Sequence, residues 1–354
     1  MQTPDEAELL AALVAIPSPT GDESRVAEFL AAHASACGLT ATVSDAALFI
    51  TVAGRAPGPA LALTSHLDVV PPGEGWTRPP FTPTLEDGKL YGRGSGDAKA
   101  SVAAMFCAAA DLAAAGGPAR GTLRLIFSYG EEGRNPTMAR ALEEAGSLDA
   151  AVVGEPTGLD IAIAQRGLLL AELTATGVQR HAGHAATAGD NAIVNLAQDL
   201  VKLDGLLQDR PHAILGHPQI TVTQTAAGIA RNVSPPSATA LLDIRTTPAW
   251  SHAEIAAGLR AALACDVDIV SERLTPCATP GNSPLLAAAI RARPAAAEYS
   301  SPTCSDWVFM AHLDALKCGP GDSTRSHTPD EWVSLAQVKA ARGFYAALTR
   351  EYLA

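Results

Sequence analysis

The chain has 354 residues, of which 47% are hydrophobic and 18% are charged, so it can bury a large core and is not intrinsically disordered over most of its length. Its formal net charge of −12 argues against binding to nucleic acid or to an anionic membrane, because both need a basic surface. No segment approaches the roughly 20 uncharged apolar residues of a membrane-spanning helix.

The N-terminal segment and the cysteines bear on the cellular compartment. The start of the chain carries Asp5, Glu6 and Glu8, whereas a secretory signal peptide begins with basic residues. The six cysteines are scattered and form no C-x-x-C pair, so we expect reduced thiols and no disulfide framework or zinc ribbon. The sequence therefore predicts a cytoplasmic protein.

The first half of the chain alternates predicted helices with short apolar runs. Amphipathic helices are predicted at about 5–15 and 23–37, and another helix at about 99–115. The apolar runs have the length of strands that are buried on both faces. They are residues 48–53, 61–66, 123–129 and 150–153. This alternation is typical of an α/β domain with a mostly parallel sheet.

The pattern changes near residue 161, after which strands and helices follow a different order. Residues 168–177 alternate apolar and polar side chains, as a half-exposed strand does. The predicted elements that follow are a helix at 191–207, strands at 219–224 and 238–244, a helix at 252–264 and a strand at 266–270. The order β-α-β-β-α-β is typical of a ferredoxin-like α+β domain. We therefore predict an inserted domain at 164–280, within a catalytic α/β domain made of 1–163 and 281–354.

Histidines and acidic residues follow the predicted buried strands, and one aspartate precedes a helix. They are His66, Asp68, Asp97, Glu131, Glu132, Glu155 and His327. In open parallel sheets the ligand site lies beyond the carboxyl ends of the strands. We therefore expect these side chains to converge at one edge of the sheet.

Two imidazoles and several carboxylates suit a divalent metal, zinc first, with cobalt or manganese as alternatives. If one carboxylate bridges, five protein ligands can hold two ions about 3.5–4 Å apart. These five are His66, Asp97, Glu132, Glu155 and His327. Each of them alone has an ordinary structural explanation, such as a helix cap or a solvated acidic pair. The prediction rests on their joint position beyond strand ends.

These motifs resemble those of the dinuclear-zinc deacylases and peptidases, which include acetylornithine deacetylase, succinyl-diaminopimelate desuccinylase, aminoacylase and glutamate carboxypeptidase. The resemblance covers nearly the whole chain. It rests on residues 65–71, 91–99, 131–132, 154–157 and 326–331. It implies a metal-binding catalytic domain with an inserted dimerisation domain, and an enzyme that hydrolyses linear amides.

The resemblance also implies a role for each candidate ligand. Asp97 would bridge the two ions. His66 and Glu155 would complete one metal site, and Glu132 and His327 the other.

Two further residues of the catalytic domain are implied to act on this centre. Asp68 would orient His66 and raise its basicity. Glu131 would be the general base, which takes a proton from the attacking water and returns it to the leaving amine. Because neighbouring residues of a regular strand point to opposite faces, Glu131 and Glu132 can share one site only if the chain turns there.

The inserted domain is implied to contribute residues to binding and catalysis. His181, with His184 as the alternative, would reach the active site of a partner subunit and stabilise the oxyanion. Asn232 and Arg245 resemble substrate-binding positions, and Arg245 suits an α-carboxylate. The alternative for Arg245 is an ordinary arginine at the surface of a strand.

Within the family, the segment 319–323 together with Ser326 and His327 is most similar to the arginine-pathway N-acyl-ornithine and N-acetyl-citrulline deacetylases. A metallo-dipeptidase or carboxypeptidase, a hydrolase of carrier-protein-linked lysine or ornithine, and a desuccinylase stay open as alternatives. We predict a homodimer that removes an acyl group, acetyl first, from a small N-acyl amino acid such as N-acetyl-ornithine or N-acetyl-citrulline.

Three other classes of protein fit the sequence less well. The G-x-G-x-G run at 92–96 precedes a helix, as in a dinucleotide-binding oxidoreductase, but the usual spacing is G-x-G-x-x-G. A non-catalytic dimeric scaffold would have lost a ligand, and all five are present. The chain lacks a G-x-S-x-G elbow, which disfavours a serine hydrolase.

Overall fold

A computed structural model describes residues 3–133, 137–184 and 187–354 of the chain. The α-helices in these ranges are α1 (Glu6–Ala15), α2 (Ser24–Ala36), α3 (Lys99–Ala114), α4 (Met138–Ala145), α5 (Ala192–Lys202), α6 (His252–Ala262), α7 (Pro284–Ala292) and α8 (Leu335–Tyr352). Short 3₁₀ helices lie at Ala188–Asp190, Asp306–Met310 and Ser323–Arg325. None of the helices in the described ranges has the length and apolar character needed to cross a membrane.

The strands in the same ranges are short, and most are parts of larger sheets. They are β1 (Thr40–Val43), β2 (Ala47–Ala53), β3 (Ala60–His66), β4 (Thr84–Glu86), β5 (Lys89–Tyr91), β6 (Thr122–Ser128), β7 (Ala150–Val153), β8 (Ile161–Gln165), β9 (Gly167–Thr176), β10 (Arg180–His181), β11 (Gln219–Ala227), β12 (Val233–Ser234), β13 (Ser237–Thr246), β14 (Asp266–Leu274), β15 (Cys277–Ala278), β16 (Glu298–Ser301), β17 (Asp314–Lys317) and β18 (Trp332–Ser334). The predicted strands of the first half of the chain agree with these bounds to within one residue at each end.

The chain forms two compact units. One consists of the chain up to Ile163, Thr279–Tyr299 and Ser305–Ala354, and the other of Ala164–Ala278 and Ser300–Cys304. The short segment Ser300–Cys304 falls within the part that the sequence assigned to the catalytic domain. It joins the second unit because the Arg166 amide donates to the Ser301 carbonyl (3.3 Å) and the Cys304 thiol donates to the Arg166 carbonyl (2.9 Å). The functions of the two units stay predictions.

The first unit is built on a mixed sheet with the strand order β1-β2-β6-β3-β7-β17-β8. Its middle strands β6, β3, β7 and β17 are parallel neighbours. Strands β2 and β8 run in the opposite direction, and β1 is antiparallel to β2. Five of these seven strands therefore share one direction, which confirms the predicted mostly parallel sheet.

Helix α3 lies in the core of the first unit and contacts β3, β6, α1 and α8. Its alanine-rich sequence suits this position, because small side chains let the neighbouring elements approach closely. Asp111, the one charged residue in its second half, accepts hydrogen bonds from the Arg342 guanidinium at 2.7 Å. The helix begins at Lys99, so its N-terminal end presents the preceding Asp97 to the edge of the sheet where β3, β6 and β7 end.

The second unit contains a four-stranded antiparallel sheet in the order β11-β13-β9-β14. The chain order β9-α5-β11-β13-α6-β14 is the predicted β-α-β-β-α-β order. The predicted helix 191–207 is shorter in the structure and ends at Lys202. Leu203 and Leu207 remain buried, but Gly205 turns the chain with a left-handed φ of +84°, so the apolar pattern continues without the helix.

Candidate active site

Three parallel strands bring the predicted residues to one edge of the sheet in the first unit. His66 pairs in register with Ser128 at the end of β6, and Thr64 pairs with Val153 at the end of β7. The segments that follow these three strands therefore leave the sheet side by side. They carry Asp68, the glutamate pair after Gly130, and Glu155.

The structure brings the five predicted metal ligands together. His66 Nε2 lies 3.3 Å from Asp97 Oδ1 and 3.9 Å from Glu155 Oε1. His327 Nε2 lies 2.8 Å from Glu132 Oε1 and 3.6 Å from Asp97 Oδ2. The two oxygens of Asp97 thus face two different imidazoles, which is the arrangement expected of a bridging carboxylate. One ligand atom from each of His66, Asp97 and Glu132 lies within 4.8 Å of the others.

The electrostatics of this cluster fit a bound cation. Burial, together with the negative charge of Asp97, raises the pKa of Glu155 to about 8. Burial also raises the pKa of Glu131 well above its ordinary value, and the charges of Glu155 and Asp306 add to the effect against the opposing charge of His66. A divalent cation would offset this crowding of buried negative charge. Imidazole nitrogens and carboxylate oxygens suit zinc, cobalt or manganese, and the role of these side chains as ligands stays a prediction.

Asp68 is buried and holds two parts of the site at once. Its Oδ1 accepts a hydrogen bond from the Glu131 amide at 3.0 Å, and its Oδ2 accepts from the Glu132 amide at 3.1 Å and the Thr20 hydroxyl at 2.8 Å. Its Oδ1 also lies 3.4 Å from His66 Nδ1, which is 3.0 Å from the Asp68 carbonyl. The sequence predicted contact with His66, whereas the two backbone contacts are seen only in the structure.

The segment after β6 turns instead of continuing as a strand. β6 ends at Ser128, and Gly130 has a left-handed φ of +67°, which a residue with a side chain rarely adopts. Glu131 and Glu132 therefore need not point to opposite faces of a strand. The structure thus has the turn that a shared site requires, and it allows both glutamates to face one centre.

The glycine-rich run at 92–96 does not offer a free phosphate site. The amides of Gly94, Gly96 and Asp97 all donate to the carboxylate of Glu331. Since a dinucleotide would need such amides for its own phosphates, the structure disfavours the oxidoreductase interpretation. The run instead positions Asp97, whose peptide bond to Ala98 is cis.

Asp306 is a buried acidic residue whose position the sequence did not reveal. It lies on a 3₁₀ helix with 4% of its surface exposed. Its Oδ2 accepts a hydrogen bond from the Ser128 hydroxyl at 2.7 Å. Burial raises its pKa to about 6 against the lowering effect of that bond. Asp306 therefore contacts the last residue of β6, the strand that precedes Glu131.

His181 and Asn232 lie on neighbouring segments of the second unit. His181 is exposed on β10 and pairs with Val233 of β12. The Gly183 amide donates to its Nδ1 at 3.1 Å, and its ring centroid is 5.9 Å from that of His184. The next amide, that of residue 182, donates to the Asn232 carbonyl at 2.8 Å. The structure places these residues together, and their roles stay predictions.

Arg245 already has a carboxylate partner within its own strand. Its Nε donates to Asp243 Oδ1 at 2.8 Å and its Nη2 to Asp243 Oδ2 at 3.1 Å. The two residues are two positions apart on β13, so their side chains lie on the same face. A substrate carboxylate would therefore have to share Arg245 with Asp243, which the sequence did not indicate.

Comparison with known proteins relates this site to a family. The model described as "Peptidase family M20/M25/M40" matches residues 62–351. A succinyl-diaminopimelate desuccinylase of Xanthomonas euvesicatoria pv. vesicatoria (strain 85-10) is 31% identical to this chain, and the match covers 98% of this chain and 97% of the relative.

Two solved structures share the fold at lower sequence identity. The aminopeptidase PepT from Bacillus cereus ATCC 10987 has a TM-score of 0.81 and 19% identity, and the match covers 99% of this chain and 100% of that one. A dinuclear metal-binding peptidase from Bacillus subtilis has a TM-score of 0.74 and 18% identity, and the match covers 98% of this chain and 97% of that one. At these identities the likeness concerns the fold.

Proposed function

The chain belongs to peptidase family M20/M25/M40 and is an enzyme that acts on amide bonds, and from that premise we propose that it uses two divalent metal ions to remove the acyl group from an N-acyl amino acid. One observation carries the proposal. Asp97 lies between His66 and His327 with one carboxylate oxygen toward each, and Glu155 and Glu132 flank the two imidazoles.

When bound, two such ions would polarise the scissile carbonyl and favour deprotonation of the attacking water. The chain's own contribution is proton transfer by Glu131. Burial raises the pKa of Glu131 above that of a free glutamate, which favours its taking a proton from the attacking water. Glu131 accepts the proton of the water and then delivers it to the leaving amine. Asp68 fixes the backbone of Glu131 through the 3.0 Å hydrogen bond to its amide.

Zinc is the metal we expect, because two imidazoles with carboxylates form a typical zinc donor set. Cobalt and manganese also accept nitrogen and oxygen ligands, so they are the alternatives to test. The dinuclear metal-binding peptidase from Bacillus subtilis supports two ions rather than one.

For the acyl group, a succinyl group is our first candidate. The relative from Xanthomonas, named a succinyl-diaminopimelate desuccinylase, covers nearly the whole chain at 31% identity. An acetyl group is the second candidate, supported by the resemblance of residues 319–323 to the arginine-pathway deacetylases. The net charge of −12 counts against a substrate presented by an acidic carrier protein.

We also propose that the second unit forms a homodimer through β11. This strand is at the edge of the four-stranded sheet, and eight of its nine residues are exposed. An exposed edge strand offers unpaired amides and carbonyls to a second copy of the chain. Helix α5 adds apolar side chains at its surface, with Val201 77% exposed. In such a dimer His181 would serve the partner's site as an oxyanion donor, with Asn232 and Arg245 contacting substrate.

The test is release of amine from a substrate panel by metal-free enzyme and by enzyme restored with zinc, cobalt or manganese. The panel contains N-succinyl-diaminopimelate, N-succinyl-ornithine, N-acetyl-ornithine, N-acetyl-citrulline and several dipeptides. We expect metal-dependent cleavage of an N-succinyl amino acid. Cleavage of the acetyl compounds alone would select the second candidate, and cleavage of dipeptides alone would move the enzyme to the peptidases. No cleavage of any compound by metal-loaded enzyme would contradict the proposal.

A further inference from the structure

Glu331 is buried and collects hydrogen bonds from the segment that carries Asp97. Its Oε1 accepts from the amides of Gly96 (2.9 Å) and Asp97 (3.0 Å). Its Oε2 accepts from Arg93 Nη1 (2.6 Å) and the Gly94 amide (3.1 Å). Only 1% of Glu331 is exposed, so these four donors satisfy it away from water. One carboxylate therefore binds the amides on both sides of Ser95 and the amide of Asp97 itself.

This contact supplies acceptors for the amides of Gly94, Gly96 and Asp97, whereas the amides of the other residues from 92 to 95 donate to backbone carbonyls. Three of the five residues from 92 to 96 are glycine, and glycine loses more conformational freedom on ordering than any other residue. A carboxylate that accepts hydrogen bonds from three amides within four residues holds that backbone in one conformation. The direction of the Asp97 side chain follows from its backbone, so Glu331 sets where the two oxygens of Asp97 point.

The preceding residue, Asp330, holds a second loop in the same way. Its Oδ1 accepts from the amides of Thr77 (3.0 Å) and Arg78 (3.2 Å), and its Oδ2 accepts from the Thr77 hydroxyl (2.7 Å). The neighbouring Trp76 ring lies under the Arg93 guanidinium, 5.0 Å from its centroid. The loop is thus held by Asp330 and packs against Arg93, which donates a hydrogen bond to Glu331.

We infer that Glu331 is a positioning residue for the reaction and acts through the Asp97 segment. The inference rests on the proposed metal site. Glu331 follows His327 closely in the chain, so the segment that supplies one candidate ligand also fixes the backbone of the bridging one. Loss of Glu331 therefore weakens metal binding.

The experiment starts from the metal-free Glu331→Gln protein and measures its zinc affinity and stoichiometry by competition with a chromogenic chelator. Glutamine replaces one acceptor oxygen by an NH₂ group, so it loses part of the amide contacts and leaves Arg93 without a counter-charge. We expect zinc binding weaker by about 10–100-fold, as for other residues that orient metal ligands. If this variant does not fold, Glu331→Asp keeps the charge opposite Arg93 but is too short to reach every donor, and the same weakening is expected.

The matched control for Glu331→Gln is Glu6→Gln. Glu6 is also buried and also accepts from an arginine, Arg342 Nη1, at 2.6 Å, but that contact links α1 to α8 and involves no candidate ligand. We expect Glu6→Gln to lower the melting temperature and to leave zinc affinity within twofold of the parent, on the order of measurement error. Equal zinc affinity in the parent and in folded Glu331→Gln or Glu331→Asp would overturn the inference and leave the proposed function intact. A parent that binds no metal would overturn both.

Discussion

Replacing Asp68 by asparagine tests how the site is held together. Asp68 accepts hydrogen bonds from the amides of Glu131 and Glu132 and from the Thr20 hydroxyl, and it faces His66 Nδ1. An asparagine side chain offers one acceptor oxygen, so at least one of the two buried amides loses its partner. A hydrogen bond to a charged group contributes about 1.5–3 kcal/mol, and we expect a loss of stability of that order. Because His66 and the Glu131 segment are both released, zinc affinity should also fall about 10–100-fold.

The assay combines urea unfolding of the metal-free protein with zinc competition titration. Asp199→Asn is a matched control, since buried Asp199 accepts from the amides of Ala264 (2.8 Å) and Cys265 (2.7 Å) and from Lys202 Nζ (2.6 Å) in the second unit. Both amides donate to Oδ2 of Asp199, so asparagine can keep them and loses only the contact of Oδ1 with Lys202. The control should therefore lose less stability than Asp68→Asn and bind zinc like the parent. The reasoning is refuted if Asp68→Asn binds zinc as tightly as the Asp199→Asn protein.

Three further predictions concern a buried acid, the oxyanion donor and the dimer. Burial raises the pKa of Asp306 to about 6, so its ionisation should contribute about 2 kcal/mol to the stability that the metal-free parent loses between pH 4.5 and 7, beside the contributions of Glu131 and Glu155. Asp306→Asn, which keeps an acceptor for Ser128, should lose about 2 kcal/mol less than the parent in urea unfolding at these two pH values; an equal loss in both proteins would remove Asp306 as a contributor. His181→Ala should lower kcat about 100-fold or more with metal content unchanged, and a kcat within threefold of the parent would remove it as an oxyanion donor. Val222→Lys on β11 should yield monomers by light scattering, whereas Val270→Lys on the opposite edge strand should not; dimers of both would place the interface elsewhere.

The local pattern of the sequence predicted the elements that position the site. Apolar runs such as 61–66 and 150–153 are strands because they are buried on both faces; the first ends in the candidate ligand His66, and the second is followed by Glu155. A turn before the glutamate pair was a condition for a shared site, and the structure has it at Gly130. Where the pattern misled, a single residue explains the difference: Gly205 ends α5 early although the leucine spacing continues beyond it.

The contacts that fix the site could not be predicted in this way. Glu331 and Asp97 are 234 residues apart in the chain, and Asp306 and Ser128 are 178 apart. Spacing along a sequence reports which residues share a helix or strand, but not which distant carboxylate accepts which amide. The pairing of Arg245 with Asp243 was missed for another reason, since a bidentate contact depends on the side-chain rotamers and not on the strand pattern.

The most direct measurement of the central claim compares the parent with Glu131→Gln in metal content and in amine release under the same conditions. Glutamine has nearly the shape of glutamate but does not accept a proton from water at neutral pH. We predict that both proteins bind two metal ions per chain and that the variant releases amine about 100–10,000-fold more slowly, which is the usual contribution of general-base catalysis. Equal rates would contradict the role of Glu131, and a parent that binds no metal would contradict the two-metal site itself.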